Sequence, residues 1–247
     1  MRLLTYNIRE GGVGRVGALA AVVNHCAPDL VVLQEAVRPT VVEGLAAATG
    51  MAVWGARPQH SLAFLSRVPI AHHQWHRPAA SRRAFLEIVP EGGALRVFGV
   101  HLSAVHSNWT ERRRVRELRE ILKSVARHQD GFHVVTGDFN TLAPGEALDL
   151  RKLPPRLRAV VWLTGRQIRW ETIQIMLDGS YVDGYRSLHG PDPGYTFPTW
   201  DPHVRLDYVF VPFAWSTRLG ACAVVADHPA IPRASDHLPL LAEVALA

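Results

Sequence analysis

The sequence has few lysines, few cysteines and no long apolar run. Lys123 and Lys152 are the only lysines among 27 basic side chains, so the net charge of +5 comes almost entirely from arginine. Cys26 and Cys222 are too few for a disulfide framework and form no CxxC pair, which favours two reduced structural thiols. No run approaches ~18 apolar residues and no signal-peptide pattern opens the chain, so we predict no membrane-spanning segment and a cytoplasmic location.

The arginine excess favours a partner that carries phosphate, such as nucleic acid. The planar guanidinium group suits bidentate contact with phosphate oxygens. A general compositional bias toward arginine and alanine would produce the same excess and stays open as the alternative. With 247 residues, 48% of them hydrophobic, and no linker rich in proline, glycine or serine, we expect one domain spanning residues 1–247. The sequence indicates no protein partner.

Strand and helix patterns alternate along the chain, which predicts an α/β protein with two mixed sheets. A strand, a helix with apolar residues at Val16, Leu19, Ala20 and Val23, and a second strand come first, and a further helix ends before Gly50. A long helix capped by Thr110 and another from about Arg169 follow later. The predicted strands are Leu3–Ile8, Leu30–Gln34, Ser61–Leu65, Pro69–Trp75, Phe85–Val89, Leu95–Leu102, Leu206–Val211, Ala221–Val225 and Leu238–Val244, and the second helix is Pro39–Thr49.

Polar side chains follow the apolar strands at five places. Any one of them is more often a cap or turn residue than a functional one. Strands that end on the same edge of a sheet bring such residues into one cleft, where carboxylate and amide oxygens suit Mg²⁺ or Mn²⁺ and histidines suit proton transfer. The residues are Asn7 in "LLTYNIREGG", Glu35 in "LVVLQEA", His101 in "VFGVHLS", Asp138 and Asn140 in "VVTGDFN", and Asp236 and His237 in "ASDHLPL".

The order of short motifs resembles that of the endonuclease/exonuclease/phosphatase superfamily from about Arg2 to Val244. The motifs are "TYNIREGG", "LQE", "SRVPI", "GVHL", "GDFN", "RLDYVFV" and "SDHLPL". "LQE" alone is nonspecific, whereas seven motifs in order are not. The resemblance implies a four-layer αββα sandwich, with two mixed sheets packed face to face, and phosphate esters as substrates. The chain resembles a bacterial-type, stand-alone member similar to metal-dependent deoxyribonuclease-like phosphodiesterases, although its loops match no branch of the family closely.

The resemblance also implies a role for each residue of the cleft. Glu35 would be the principal metal ligand, helped by Asn7 and Asp236. Asp138 and Asn140 would position or activate the attacking water and hold the phosphate. His237 would act as base or stabilise the transition state, so that the base is either Asp138 or His237.

Three further positions take their roles from the same resemblance. Asp207 in "RLDYVFV" would orient the imidazole of His237. His101 falls where secreted deoxyribonucleases have a second catalytic histidine, a candidate acid for the leaving oxygen. Arg9 stands where abasic-site endonucleases of the family tend to carry an acid. An arginine there could bind a substrate phosphate, and it argues against a second metal ligand and an abasic-site repair role.

Simpler interpretations apply to other residues. A salt bridge with Arg205 would explain Asp207 without catalysis. His72 and His76 share one face of their predicted strand and His73 the other, which favours surface histidines over a metal site. Trp75, Trp109 and Trp200 are more typical of core or rim than of stacking platforms.

The substrate stays open among three hypotheses. A nuclease or phosphodiesterase acting on DNA or RNA is favoured by the arginines of Arg112–Arg119 and by the basic stretch after Arg151. A hydrolase of lipid or inositol phosphates is the second, although no exposed aromatic hairpin is apparent. A non-catalytic binding module is the third and is least favoured, because every motif position carries a chemically competent residue.

Overall fold

The chain builds its first four strands into one sheet, its next six into a second sheet, and returns to the first sheet with its last two strands. A computed structural model describes residues 1–78, 81, 83–104, 108–128, 131–146, 149–152 and 170–246. The strands are β1 (Arg2–Asn7), β2 (Leu30–Gln34), β3 (Val53–Gly55), β4 (Ala63–Ser66), β5 (Ile70–His76), β6 (Phe85–Pro90), β7 (Arg96–His101), β8 (His133–Asp138), β9 (Tyr181–Asp183), β10 (Asp207–Pro212), β11 (Leu219–Val224) and β12 (Leu240–Val244). The helices are α1 (Val16–Cys26), α2 (Pro39–Thr49), α3 (Asn108–Val125), α4 (Glu171–Asp178), α5 (Gly184–His189) and α6 (Ile231–Ala234).

Each sheet has six strands. The first has the order β11-β12-β1-β2-β4-β3 and the second the order β5-β6-β7-β8-β10-β9. Both are mixed, since β1 and β2 are parallel, as are β7 and β8, whereas the other pairs are antiparallel. Successive side chains of a strand point to opposite faces of its sheet, and because the inner strands β1, β2 and β8 are buried nearly throughout, each sheet packs on both of its faces.

The first sheet buries one face under helices and the other against the second sheet. In β1, Leu4 and Tyr6 pack with Leu19 and Val23 of α1, while Leu3 points the other way. Leu3 joins a layer between the sheets that includes Val32 of β2. Gly99 of β7 lies so close to this layer that a Cβ there would be 2.6 Å from Cγ1 of Val32.

The outer face of the second sheet is covered by α3 and α4. Leu118 and Ile121 of α3 and Ile173 of α4 pack with the aromatic side chains Phe98 and Phe210 of the sheet. The four layers are therefore helices, sheet, sheet and helices, and the predicted αββα sandwich is confirmed. No helix of the described residues is long and apolar enough to cross a membrane.

The structure differs from the sequence prediction mainly in short elements and boundaries. Helix α3 begins at Asn108, so Thr110 lies inside its first turn and not at its cap, and α4 begins at Glu171. The sequence analysis missed β3 and β9, because three residues are too few to show a period. Strand ends otherwise shift by one or two residues, which is the usual scatter of boundaries.

Candidate active site

Asp138, the last residue of β8, lies where ends of both sheets meet. Its side chain is 1% exposed. Oδ1 accepts a hydrogen bond from the backbone N–H of Asn140 (2.8 Å), and Oδ2 accepts one from Nδ2 of Asn7 (3.0 Å). Asn7 is the last residue of β1 in the first sheet. This hydrogen bond therefore joins the two sheets at the edge that both strands reach.

Glu35 lies beside Asn7, directly after β2. Its Oε1 accepts from Nδ2 of Asn7 (3.4 Å) and its Oε2 from the backbone N–H of Glu10 (2.5 Å). Glu35 and Asn140 both have left-handed backbone, with φ of 57° and 54°. Residues other than glycine adopt this conformation at a cost of about 1–3 kcal/mol, so the surrounding contacts hold both turns in place.

His237 and Asp207 form a buried pair next to Asp138. Nδ1 of His237 lies 2.9 Å from Oδ2 of Asp207, and antiparallel pairing of β8 and β10 places Asp207 opposite Asp138. Nε2 of His237 is 4.0 Å from Oδ2 of Asp138. Arg205 pairs instead with Glu146 and Asp183, so the simpler interpretation of Asp207 as its salt-bridge partner is wrong.

Burial and neighbouring charges shift the pKa of both groups that face each other across this gap. Burial alone would lower the pKa of His237, but the Asp207, Asp138 and Asp236 carboxylates outweigh it and raise that pKa to about 9. Burial and the charge of Asp207 raise the pKa of Asp138 well above its usual value, against the opposing effect of His237. The imidazole of His237 is accordingly the main cation of the buried cluster.

His101, the last residue of β7, lies on the other side of Asp138. The parallel register pairs the two residues, and Nε2 of His101 is 3.8 Å from Oδ2 of Asp138. Burial, helped by the charges of Arg83 and His237, lowers the pKa of His101 to about 3. Its Nδ1 has no hydrogen-bond partner among the described residues. The surroundings of His101 therefore disfavour the charged form of its imidazole in the free protein.

Arg9 and Asp236 form the outer rim of the same edge. Nε of Arg9 is 3.6 Å from Oδ2 of Asp236, and the two side chains are 47% and 21% exposed. The backbone N–H of Arg9 donates to Oδ1 of Asn7 (2.9 Å), which leaves that oxygen one lone pair. All nine residues singled out from the sequence thus lie at one edge of the sandwich.

The donor set fits a hard divalent cation. Glu35 and Asp138 each accept a hydrogen bond from the side-chain amide of Asn7, which brings the two carboxylates to the same place. Carboxylate and amide oxygens are the ligands that Mg²⁺ and Mn²⁺ take. Asp138, Asp207 and His237 are the only group of three ionisable donors among the described residues with ligand atoms within 4.8 Å of one another. Oδ1 of Asp207 has no hydrogen-bond partner among the residues that the structure describes.

Two supporting residues were missed by sequence reasoning. Ser235 Oγ donates to the backbone oxygen of Asn7 (2.6 Å) and accepts from the backbone N–H of His237 (3.2 Å), so it links β1 to the histidine. Thr196 Oγ1 accepts from the backbone N–H groups of Leu206 (3.0 Å) and Asp207 (3.3 Å). Ser235 stands directly before "DH" in the motif, which was a usable signal, whereas nothing in the sequence marks Thr196.

The three tryptophans and the surface histidines differ in burial and lie outside the buried cluster. Trp75 is buried, with its Nε1–H donating to the backbone oxygen of Leu62 (2.9 Å), whereas Trp109 and Trp200 are exposed. Nε2 of His76 contacts Glu87 (2.5 Å), and His72 lies near the same carboxylate (4.0 Å), as expected for one face. The basic stretch after Arg151 was singled out from the sequence, and its positions 153–169 lie outside the described residues.

Two packed sheets with a buried cluster of acids and histidines at one edge define an α/β-sandwich hydrolase. The model of the Endonuclease/Exonuclease/phosphatase family matches residues 4–237. The chain therefore belongs to the Endonuclease/Exonuclease/phosphatase family, and it is a hydrolase of phosphate esters. A search of curated protein sequences gives no significant match.

Solved structures similar to this chain have the same fold at low sequence identity. The 3′ phosphatase NExo from Neisseria, bound to a product DNA hairpin, is 23% identical, with 99% of each chain covered and a TM-score of 0.73. An AP endonuclease from Archaeoglobus fulgidus is 16% identical over 99% of each chain, with a TM-score of 0.75. A humanised TDP2 from D. rerio is 15% identical, with 98% of this chain and 97% of that one covered and a TM-score of 0.67.

Proposed function

We propose that this protein is a phosphodiesterase that hydrolyses nucleic acid with the help of a divalent metal ion. The observation that carries the proposal is the position of Asp138. Its carboxylate contacts the amide of Asn7 in the other sheet and has the imidazoles of His101 and His237 within 4.0 Å. A buried acid between two histidines and a hard-oxygen donor set is suited to activating water and to stabilising charge on a phosphoryl group.

We assign the metal to the side of the cluster formed by the first sheet. Glu35 is the principal ligand in this proposal, with Asn7 and Asp236 completing the site, and the ion is Mg²⁺ or Mn²⁺. The two hydrogen bonds that hold Glu35 and Asn7 fix the ligand oxygens before the ion arrives. When bound, the ion polarises a phosphoryl oxygen and offsets charge on the leaving group.

The groups of the second sheet activate the water and stabilise the phosphate in this proposal. Asp207 holds Nδ1 of His237, which turns Nε2 toward Asp138 and favours the charged ring. A charged His237 stabilises negative charge on the phosphoryl oxygens, which leaves Asp138 as the base. Asn140 donates its backbone N–H to Asp138 and its side-chain amide to the backbone oxygen of Leu102 (3.1 Å), so it positions the acid, and we propose that it also holds the phosphate.

His101 and Arg9 complete the set of roles. We propose that His101 supplies a hydrogen bond or proton to the leaving oxygen, because its Nε2 shares Asp138 with His237. A phosphate anion bound next to it would favour the charged ring over the neutral one. Arg9 is exposed at the rim beside Asp236, from where its guanidinium group can contact a substrate phosphate.

A nucleic-acid substrate is supported by the arginine content and by the similar proteins that act on DNA. The Neisseria structure holds a product DNA hairpin, and the Archaeoglobus protein is an AP endonuclease. A lipid or inositol phosphate stays the alternative substrate class. We also propose that residues 1–247 fold as one domain and that the protein is cytoplasmic, where its two free, buried cysteines would stay reduced.

The experiment that tests this function compares bis-p-nitrophenyl phosphate with p-nitrophenyl phosphate in Mg²⁺, Mn²⁺ or EDTA, followed by labelled DNA and RNA. We expect diester cleavage that needs metal and is lost in Glu35→Ala. Asp149→Asn, at a partly exposed carboxylate outside the cluster, is the control for loss of one carboxylate. Equal cleavage in EDTA, or full activity of Glu35→Ala with normal unfolding, would contradict the proposal, and a preference for the monoester would indicate a phosphatase.

A further inference from the structure

A second anion site is suggested by a cavity beside the catalytic edge. It has a volume of about 320 Å³, within the ~300–1,000 Å³ range of small-molecule sites. We call it the arginine pocket, and its lining includes Val37, His60, Ser61, Trp75, Arg77 and Arg83. Its lining contains two guanidinium groups and no carboxylate among the described residues.

The arginine pocket adjoins the proposed active site on two sides. The backbone oxygen of Ser61 accepts a hydrogen bond from the N–H of Ala36 (2.9 Å), the residue that follows Glu35. On the other side, continuing the antiparallel register of β6 and β7 by two residues places Ala84 opposite His101. The pocket therefore lies between the turn that holds Glu35 and the strand end that holds His101.

The arginines of the pocket are not paired with acids. No carboxylate of the described residues lies within ion-pair distance of Arg77 or Arg83, or of Arg57, whose guanidinium group lies over the ring of Trp75 at 4.7 Å. The charge of Arg83 nevertheless reaches His101, whose charged form it disfavours. The two cations that line the cavity, and the third that lies over the ring of Trp75, repel one another without acidic partners, and a bound anion removes that repulsion.

A second cavity shows what paired arginines look like in this protein. It measures about 400 Å³ and is lined by Glu146, Arg186 and Arg205, among others. Both arginines donate to Oε1 of Glu146, at 2.8 Å and 2.6 Å, and Arg205 also contacts Asp183. Carboxylates of the protein neutralise these guanidinium groups, and the ion pairs hold loops together. The arginine pocket differs because its described lining contains no such carboxylate.

We propose that the arginine pocket binds a second phosphate of the substrate, next to the phosphate that is cleaved. The inference rests on the proposed function, since it takes the strand ends at Asp138 as the place of cleavage. It narrows the substrate to a chain with at least two phosphates, such as an oligonucleotide, and disfavours a simple monoester. His60 and Ser61 at the pocket wall add hydrogen-bond donors that suit phosphate oxygens.

The test uses p-nitrophenyl esters of thymidine 5′-phosphate and 3′-phosphate, each with and without a phosphate on the other hydroxyl. The readout is the ratio of kcat/KM for the two-phosphate ester to that for the one-phosphate ester, within each variant. Any effect of a variant on the chemical step cancels in this ratio. We expect the second phosphate to raise kcat/KM at least tenfold in one polarity, and Arg77→Ala and Arg83→Ala each to remove most of that gain.

Arg127→Ala is the control, because Arg127 is exposed and precedes β8, at the end of that strand far from Asp138. It should keep the wild-type ratio. An equal ratio in Arg77→Ala, Arg83→Ala and the wild type would overturn the pocket while leaving the proposed function intact, whereas no metal-dependent cleavage of any ester would overturn the function.

A binding measurement tests the pocket without catalysis. In EDTA, the anisotropy of a fluorescent single-stranded decanucleotide should show weaker binding by the double variant Arg77→Ala with Arg83→Ala than by Arg127→Ala, and a shallower dependence on salt. Equal affinities and salt slopes would overturn the pocket whatever the activity assays give.

Discussion

Nδ2 of Asn7 and Oδ2 of Asp138 lie 3.0 Å apart, and the two residues belong to different sheets. Asn7 ends β1 and Asp138 ends β8, and each is 1% exposed. The amide of Asn7 also reaches Glu35, so one side chain holds two acids in place. The geometry of the proposed active site therefore depends on how the sheets pack together as well as on the strands themselves.

Replacing Asn7 by alanine should weaken both the fold and the site. The variant leaves Oδ2 of the buried Asp138 without its donor, which costs about 1–3 kcal/mol of unfolding free energy. Urea unfolding in EDTA measures that loss. Asn24→Ala is the matched control, because Asn24 accepts only a long bond (3.3 Å) from the exposed Arg67. Equal stability of the two variants would show that the amide does not hold the sheets together.

Replacing Asp138 by asparagine should remove activity without removing the fold. The amide keeps the shape of the side chain but cannot take a proton, and loss of a general base costs about 10²–10⁴-fold in rate. Metal-dependent hydrolysis of bis-p-nitrophenyl phosphate, with circular dichroism of the same preparation, measures both quantities. Activity within tenfold of the wild type would rule out Asp138 as the base.

Asp207 should act through His237. We expect His237→Ala to lower kcat at least 100-fold and Asp207→Asn to lower it by a smaller factor, because the asparagine lacks the charge that favours the imidazolium ring. In the double variant, the change at Asp207 should add little, since residues that act as a unit are not additive. Multiplicative effects of the two substitutions on kcat would show that Asp207 has a separate role.

Gly137 should tolerate no side chain. Its φ is +144°, and a Cβ would lie 1.9 Å from the backbone oxygen of Val100 in the neighbouring strand. Strain and overpacking together predict that Gly137→Ala lowers the unfolding free energy by about 3 kcal/mol or more. Gly92 also has positive φ (+88°) but open space around it, so Gly92→Ala should cost only about 1 kcal/mol. Similar losses would show that β7 and β8 can separate locally.

The two thiols should be unreactive in the native protein. Burial raises the pKa of Cys26 to about 11 and raises that of Cys222 still further. At pH 8 the thiolate of Cys26 is then about a thousandth of the total, and thiolate is the reactive form. Ellman's reagent should react with neither thiol until urea unfolds the protein, and rapid reaction of one thiol in buffer would show local opening at its helix or strand.

The strands that carry the site were predictable because they are apolar and end on polar residues. Leu30–Gln34 and Pro39–Thr49 have the predicted bounds, and the four-layer arrangement follows the order of the motifs. What the sequence could not show is which residues meet across the sheets. The contact of Ser235 with Asn7 joins residues 228 positions apart. Arg205 pairs with Glu146 and not with Asp207, because a loop whose path no local pattern indicates brings Glu146 to it.

The close approach of Gly99 to Val32 limits how far one sheet can slide over the other. A displacement of about 1 Å is enough to misalign reacting groups and to cost about 100-fold in rate. Sheet alignment is thereby coupled to catalysis. Substitutions of Leu3 or Val32 in the apolar layer between the sheets should inactivate the enzyme at temperatures below those that unfold it, although neither residue belongs to the proposed active site.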